Sequence, residues 1–441
     1  MLGIERIAII FFLGIAGCNL QDKVASPEPA DIDLGGVADA TPVPSGTGTT
    51  FYVDLKGSDA GPGTEQKPWA TIQYAGRTAK SGDTILIRGG EYNEGEIWLR
   101  TDYGHCGNKT GLLTIRNAPS ELVFLTNGSR PFIAECDYLR VQGLHFRNGK
   151  SLASRGVNRN TLQFVNNTFK GSGYTYDAIS TEGSNILIEG NECDINGNIQ
   201  GTQGHCYYIQ HGTNITLRNN ITKGPTGYGI HIFDQRRSGD PPGFERLIQN
   251  VLVEGNTLRN SQQRAGLIVA AYDHARIENV IIRNNLIYNN NGLGIAIRSA
   301  SKNIRVYNNT FFNNGNHALG IYTGEGNAID GVTIKNNIFV IGSGRSLYHV
   351  GMEKTSMIQN LIVENNFYGP GDTPRLEGIT DAKPRSGSAE FVNPDVLDLH
   401  LQATSLAIDR GINLTEVLFD KDGNRRPQGA YDMGAYEFQK K

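Results

Sequence analysis

The sequence predicts an all-β fold, a single-stranded parallel β-helix with three short strands in each rung and a capping helix near its start. Three observations lead there. Between residues 160 and 370, eight apolar-rich runs end in Asn-Asn or Gly-Asn, from Leu162-Gln-Phe-Val-Asn-Asn167 to Leu361-Ile-Val-Glu-Asn-Asn366. The closing residues Asn167, Asn191, Asn220, Asn256, Asn285, Asn309, Asn337 and Asn366 are 24, 29, 36, 29, 24, 28 and 29 positions apart. A period of this length marks a solenoid, whose repeats bury their apolar faces against one another. Within each run the apolar residues recur at every second position, the strand period rather than the helical one.

Each rung follows from the same reading. Asn and Gly tolerate left-handed backbone angles, so the run ends in a turn. A second strand precedes the runs, as in Ala178-Ile-Ser, Tyr207-Tyr-Ile, Ile230-His-Ile, Leu267-Ile-Val, Ile295-Ala-Ile and Leu319-Gly-Ile. A third follows the turn, as in Thr168-Phe, Leu286-Ile-Tyr and Ile338-Phe-Val. Stacked rungs place equivalent residues about 4.8 Å apart. The recurring Asn should therefore form a ladder, amide bonded to amide.

The chain has 441 residues, 19% of them charged, with a formal net charge of −3. That balance excludes a nucleic-acid partner and generic attraction to anionic membranes. Residues 1–18 read as a targeting segment: Arg6 precedes an apolar stretch, Ile7 to Ile15, too short to span a bilayer. Its end, Leu13-Gly-Ile-Ala-Gly-Cys18, resembles the lipobox of bacterial lipoproteins, which implies lipidation of Cys18 and anchoring to the cell envelope. The expected location is the outer membrane or cell surface rather than the inner membrane, and the protein is expected to be a monomer. Residues 19–50, rich in Pro, Ala, Asp, Gly and Thr, read as a flexible linker. Export makes Cys106, Cys136, Cys193 and Cys206 candidates for disulfides, with the pairing open among three possibilities.

A β-helix exposes an open core at each end, so both ends need covering. Residues 51–92 supply the first cap: a strand at Phe51-Tyr-Val, a Gly-rich loop, and a helix starting at Pro68 with Trp69, Ile72, Ala75 and Ala79 on one face. Residues 93–387 form the solenoid and 388–441 a closing segment. The opening pattern from Phe51 through Tyr92 resembles that of bacterial β-helix proteins related to pectate, alginate and chondroitin lyases. The closing runs Ser405-Leu-Ala-Ile-Asp409-Arg-Gly411, Asp420-Lys-Asp-Gly-Asn-Arg-Arg-Pro427 and Asp432-Met-Gly-Ala-Tyr-Glu437 resemble the same group. The resemblance implies a right-handed helix and carbohydrate chemistry.

Aligned rungs show where chemistry would sit. With Ala178, Tyr207 and Ile230 inward, the outward column reads Ile179, Tyr208, His231, Ile268 and Ala296. Beside it run Thr181, Gln210, Phe233, Ala270 and Arg298, with Glu182, His211 and Asp234 at the strand end. Residues 235–250 form the largest insertion, expected as a loop projecting from this wall with Arg236 and Arg237. A uronate lyase needs a cation for the sugar carboxylate, a base for the C5 proton and an acid for the leaving oxygen. His231 and Tyr208 are the candidate base and acid. His205, His211, Gln210, Phe233, Arg236, Arg237 and Arg298 are the candidate substrate-binding residues.

The chain departs from the resembled group at its catalytic positions. The paired acidic residues of the calcium-dependent lyases are missing, and Asp177, Glu182 and Asp234 make only a loose acidic set. The paired aspartates of polygalacturonase-like hydrolases and the Asp-Pro-His-Asp motif of mannuronan epimerases are missing too. The expected cofactor is therefore none or Ca2+. The leading expectation is a lipid-anchored lyase cleaving an acidic polysaccharide by β-elimination. The competing one is a non-catalytic surface carbohydrate-binding or structural lipoprotein.

Overall fold

Alternation and the Asn turn together build the coil. The computed structural model describes residues 48–439 except 104–105, 128–130, 172–176, 196–202, 325–326, 343–347, 354–355, 372 and 428–429. Cys18 and the expected signal and most of the expected linker lie outside the described residues. No helix among the described residues is long and apolar enough to cross a membrane.

Each rung contributes a strand to three parallel faces. The first, called the wall here, includes residues 179–182, 207–211, 230–235, 267–272, 295–298, 317–322 and 348–352. The second holds the Asn-ended runs, and the third is a 12-stranded sheet of short strands such as 168–170, 286–288 and 338–340. Every second residue points inward: Ile186, Ile215, Val251, Val280, Ile304 and Val332 stack in one column, all fully buried. The third face adds ring-on-ring packing, with Phe146 over Phe169 at 4.6 Å and Phe311 over Phe339 at 4.7 Å.

The Asn-Asn pair divides two tasks. The first residue takes the left-handed turn, φ 52° at Asn166 and 54° at Asn219, with Gly190 and Gly255 at 65° and 66°. The second is buried inside the coil. From Asn167 to Asn366 each side-chain amide donates to the next Asn oxygen at 2.9–3.1 Å, and Asn366 donates to Asp381 at 2.9 Å. Asp381 also accepts from the backbone amides of Asn365 and Asn366 and from the Tyr368 hydroxyl, so the ladder ends on a carboxylate. Buried amides need such partners, and an aligned ladder supplies them at every rung.

The helix is shorter than the sequence suggests. It spans Ile72–Thr78 and is N-capped by Thr71, whose hydroxyl accepts from the Tyr74 amide. Pro68 lies outside it, because Trp69 instead pairs with the first strand, donating its amide to the Tyr52 carbonyl. Ile72 and Ala75 still face the core. The closing segment begins with a hairpin, 391–393 against 398–401. It then packs Leu399, Met433 and Ala435 on the outer side of Leu286, Ile338 and Phe367. The turn residues Asn284, Asn308, Asn336 and Asn365 donate to the carbonyls of Phe419, Asp432, Ile412 and Arg410. The tail therefore straps the side of several rungs as well as following the last one.

The cysteines pair as Cys106–Cys136 and Cys193–Cys206. The second bond is fully buried and pins the chain immediately before the wall strand that carries Tyr208.

Candidate functional site

The wall carries two side-chain clusters separated by a small, apolar floor. The upper cluster is built from Tyr208 and His231, adjacent in register on neighbouring rungs. Their rings stack at 4.4 Å and 18°. His231 also lies 5.1 Å from Phe233, 4.8 Å from Tyr228 and 4.3 Å from His205. His205 accepts the Tyr228 amide on Nδ1 at 2.8 Å, which fixes its ring just before the strand. The His231 Nδ1 is buried with no hydrogen-bond partner among the described residues.

Burial governs the protonation of this cluster. It holds the His231 imidazole well below its ordinary value, with His205 and Arg264 adding to the effect. Burial, then Arg264, pushes His205 down to about 3. Both rings are neutral near pH 7. The Tyr208 phenol is raised by burial and then by Asp177, so it is neutral as well. The cluster is a layered, uncharged aromatic surface.

One register correction applies here. Ile179 pairs with Tyr207 and points inward, fully buried, while Ser180 pairs with Tyr208 and faces out. Thr181 is likewise inward, paired with Ile209. A bulge between Thr181 and Glu182 absorbs the extra residue, so Glu182 still pairs with His211. From Tyr208 through His231 and Ile268 to Ala296 the outward column is as expected, and in the structure it continues through Gly320, Gly351 and Glu377.

The insertion at 235–250 is tied down rather than projecting. Arg237 pairs with Glu182 and donates to Gln210, whose amide donates to Ser180 at 2.6 Å. Arg246 grips Asp240 through two hydrogen bonds of 2.7 Å and reaches Asp234 at 3.3 Å. That grip holds the Asp240 carboxyl well below the usual range. His211 lies 3.2 Å from Asp234 and 5.4 Å from the Phe244 ring of the loop. Arg236 lines a separate groove of about 610 Å³ with Phe244, His274, Arg276 and Lys302. Arg237 and His211 are thus each engaged with a carboxylate, Arg237 near enough to Tyr208 to act on its phenol, while Arg236 lines the separate groove.

The three residues of the loose acidic set all act on the Tyr208 phenol, and two of them have cationic partners of their own. Glu182 is held by Arg237, and Asp234 by Arg246 and His211. Asp177 sits before the strand, where burial raises its carboxyl. No group of three or more His, Cys, Asp or Glu side chains placed to hold a metal ion occurs among the described residues.

The lower cluster contains residues that the column reading missed. Arg298 pairs in register with Tyr322, and its guanidinium lies 5.7 Å from the Tyr322 ring centre. The Tyr322 hydroxyl is 3.2 Å from His317 Nδ1, and His317 Nε2 is 3.2 Å from a Glu377 carboxylate oxygen. A carboxylate only accepts, so in the neutral ring Nε2 carries the proton and Nδ1 accepts from the phenol. The His317 ring stacks on Tyr348 at 5.5 Å and 9°. Gly320 and Gly351 make room: a Cβ at Gly320 would lie 2.4 Å from Tyr322, and one at Gly351 2.5 Å from His317. Burial, then Glu377, raises the Tyr322 phenol, while Arg298 opposes the rise. Unlike Arg237 and Arg246, Arg298 has no carboxylate partner among the described residues, and its Nε is buried and unpartnered. Arg264 was also missed; it hydrogen-bonds to Tyr228 above.

Between the clusters lie Ile268, Ala270 and Ala296, buried under Tyr228, Phe233 and Leu293. The wall therefore carries stacked rings at one end, a buried apolar stretch in the middle, and at the other end a guanidinium with no carboxylate partner among the described residues beside a hydrogen-bonded Tyr-His-Glu set.

These features define the class: the chain is a right-handed parallel β-helix protein. A family model described as "Right handed beta helix region" matches residues 243–372. Among solved structures, a pectate lyase, Pel9A, aligns with 93% of this chain and 99% of its own at 14% identity and a TM-score of 0.50. XylC in complex with xylose aligns with 89% of this chain and 99% of its own at 11% identity and a TM-score of 0.51. At these identities the likeness is one of fold. An uncharacterized protein of Bacillus subtilis (strain 168), YwoF, is 34% identical over 93 residues, which are 21% of this chain and 18% of that protein.

Proposed function

We propose that the protein is an exported, lipid-anchored enzyme of the cell envelope that cleaves an acidic, uronate-containing polysaccharide by β-elimination. The observation that carries this reading is Arg298, a cation on the wall without a carboxylate partner among the described residues and beside groups able to move protons. A guanidinium with no carboxylate partner among the described residues, its Nε buried and unpartnered, suits a carboxylate supplied by a ligand. The neutral rings of Tyr208, His231 and Phe233 suit the apolar face of a sugar, so we assign the upper cluster to binding. The fold neighbours titled as a pectate lyase and as a xylose complex are consistent with a carbohydrate ligand.

The test is incubation of the purified protein with a panel of uronate polymers, with calcium and with a chelator. Elimination creates a C4–C5 double bond conjugated to the carboxylate, read as rising ultraviolet absorbance. A flat trace on every polymer removes the lyase reading. A second reading, a carbohydrate-binding surface without turnover, is favoured by the apolar floor of Ile268, Ala270 and Ala296. It predicts polymer retention on an affinity gel with no unsaturated product.

A further inference from the structure

The reading above leaves open which groups transfer the protons. Two pairs compete on the wall, Tyr208 with His231 and Tyr322 with His317. We infer that Tyr322, backed by His317 and Glu377 and set beside Arg298, is the proton-transfer residue of this wall. This assignment rests on the β-elimination reading and deepens it.

Distance decides first. In a uronate the C5 carbon is bonded directly to the carboxylate carbon, so the base must work next to the cation that holds the carboxylate. Tyr322 is one rung from Arg298, about 4.8 Å along the coil. Tyr208 is three rungs from the strand of Arg298, through His231, Ile268 and Ala296, about 14 Å away. A carboxylate on Arg298 presents its neighbouring carbon to Tyr322.

Connectivity decides second. Tyr208 and His231 touch face to face, and a stacked pair has no hydrogen bond along which a proton can pass. Tyr322, His317 and Glu377 are joined end to end, donor to acceptor. This is the arrangement in which an oxygen acid is activated by a ring nitrogen that a carboxylate orients. Exposure is graded along it: the His317 side chain is 13% accessible and that of Glu377 49%. The Tyr322 side chain lies over Gly320 and is partly exposed.

The step balances within the chain. Tyr322 passes its proton to His317 Nδ1, forming a phenolate beside Arg298 and an imidazolium beside Glu377. The phenolate removes the C5 proton, and the C5–H electron pair becomes the C4–C5 double bond. The C4–O4 bond breaks, and O4 takes the proton that Tyr322 has just acquired. His317 then returns its stored proton to Tyr322. Base and acid are one oxygen, so the eliminated groups leave from the same face of the sugar.

The experiment measures kcat and KM for the purified protein and its variants on polygalacturonate, alginate, chondroitin and glucuronan. On any polymer that the unsubstituted protein cleaves, Tyr322→Phe should lower kcat by about 10²- to 10⁴-fold with KM little changed. The substitution keeps the ring over Gly320, and an unchanged melting temperature shows that the fold persists. Glu377→Gln should lower kcat by a smaller factor, with Glu377→Asp recovering most of it, as expected of a positioning carboxylate. Tyr208→Phe should act mainly on KM. Unchanged turnover in a folded Tyr322→Phe protein, or a collapse of kcat in Tyr208→Phe alone, overturns the assignment and leaves the lyase reading standing. If the unsubstituted protein cleaves none of the polymers, both fall together.

Discussion

The two clusters share one wall yet solve different problems. The upper one is buried and layered, and its rings satisfy one another through their faces. The lower one is hydrogen-bonded and more open, and its members are joined through their polar atoms. Desolvation explains the contrast. Burial removes charge from His205 and His231, which turns imidazoles into aromatic plates. The lower groups are instead joined by hydrogen bonds, Tyr322 to His317 and His317 to Glu377, beside the Arg298 guanidinium. A histidine count alone points to the upper cluster, whereas connectivity points to the lower.

The strongest way to break this comparison is to remove the cation. Arg298→Ala should reduce kcat by about 10²- to 10³-fold while the fold melts near its usual temperature, because the guanidinium serves the ligand rather than the chain. Steady-state kinetics paired with a thermal melt checks it. A large fall in melting temperature would instead make Arg298 a structural residue.

Next comes the disulfide. Cys193–Cys206 closes a loop of 13 residues in sequence separation and anchors the upper cluster. Cys193→Ser with Cys206→Ser should cost about 2–4 kcal/mol by denaturant unfolding and should raise KM more than it lowers kcat. An equal loss in kcat would mean that the two clusters are not separable.

His231→Ala should destabilise by about 1–3 kcal/mol, since it removes the buried central ring of a five-ring cluster. Polymer affinity should weaken with kcat largely retained. Loss of turnover without loss of affinity would return His231 to the catalytic role expected from sequence.

The smallest effect near neutrality is the acid response. His205 is depressed by burial and then by Arg264 to about 3 against 6.5 unfolded, so between those values the unfolded chain binds more protons. Its contribution to stability is complete above about 6.5 and is lost as pH falls toward about 3. Melting temperature should drop across that window, and His205→Gln should flatten the drop. His400 acts in the opposite sense on the closing segment. Burial opposes its charge, but Asp422 and Asp398 outweigh burial and raise its pKa, so its contribution is present at low pH and is lost as pH rises through the raised value.

The coil was legible in the chain because its constraint is chemical. The turn position takes Asn or Gly and the ladder position after it takes Asn, so the same pair recurs in register at Asn166-Asn167, Gly190-Asn191, Asn219-Asn220 and beyond. The register of Tyr208, His231 and Arg298 followed from that period. The rung of Ile179 did not, because a bulge at Thr181 and Glu182 is invisible to an alignment without gaps. The lower cluster was hidden for two reasons. His317 opens its strand outside the outward column, and Glu377 lies 60 residues away, past the last Asn-ended run. The pairing of Arg237 with Glu182 was equally unreadable, since both residues look free when only their spacing is known.

The most direct measurement is a structure of Tyr322→Phe soaked with a uronate oligosaccharide from whichever polymer the unsubstituted protein cleaves. The account predicts a sugar carboxylate on Arg298, its C5–H directed at the position vacated by the Tyr322 hydroxyl, and the chain's upper rings on Tyr208 and His231. A carboxylate held instead by Arg264 beside His231, or in the Arg236 groove, would contradict it.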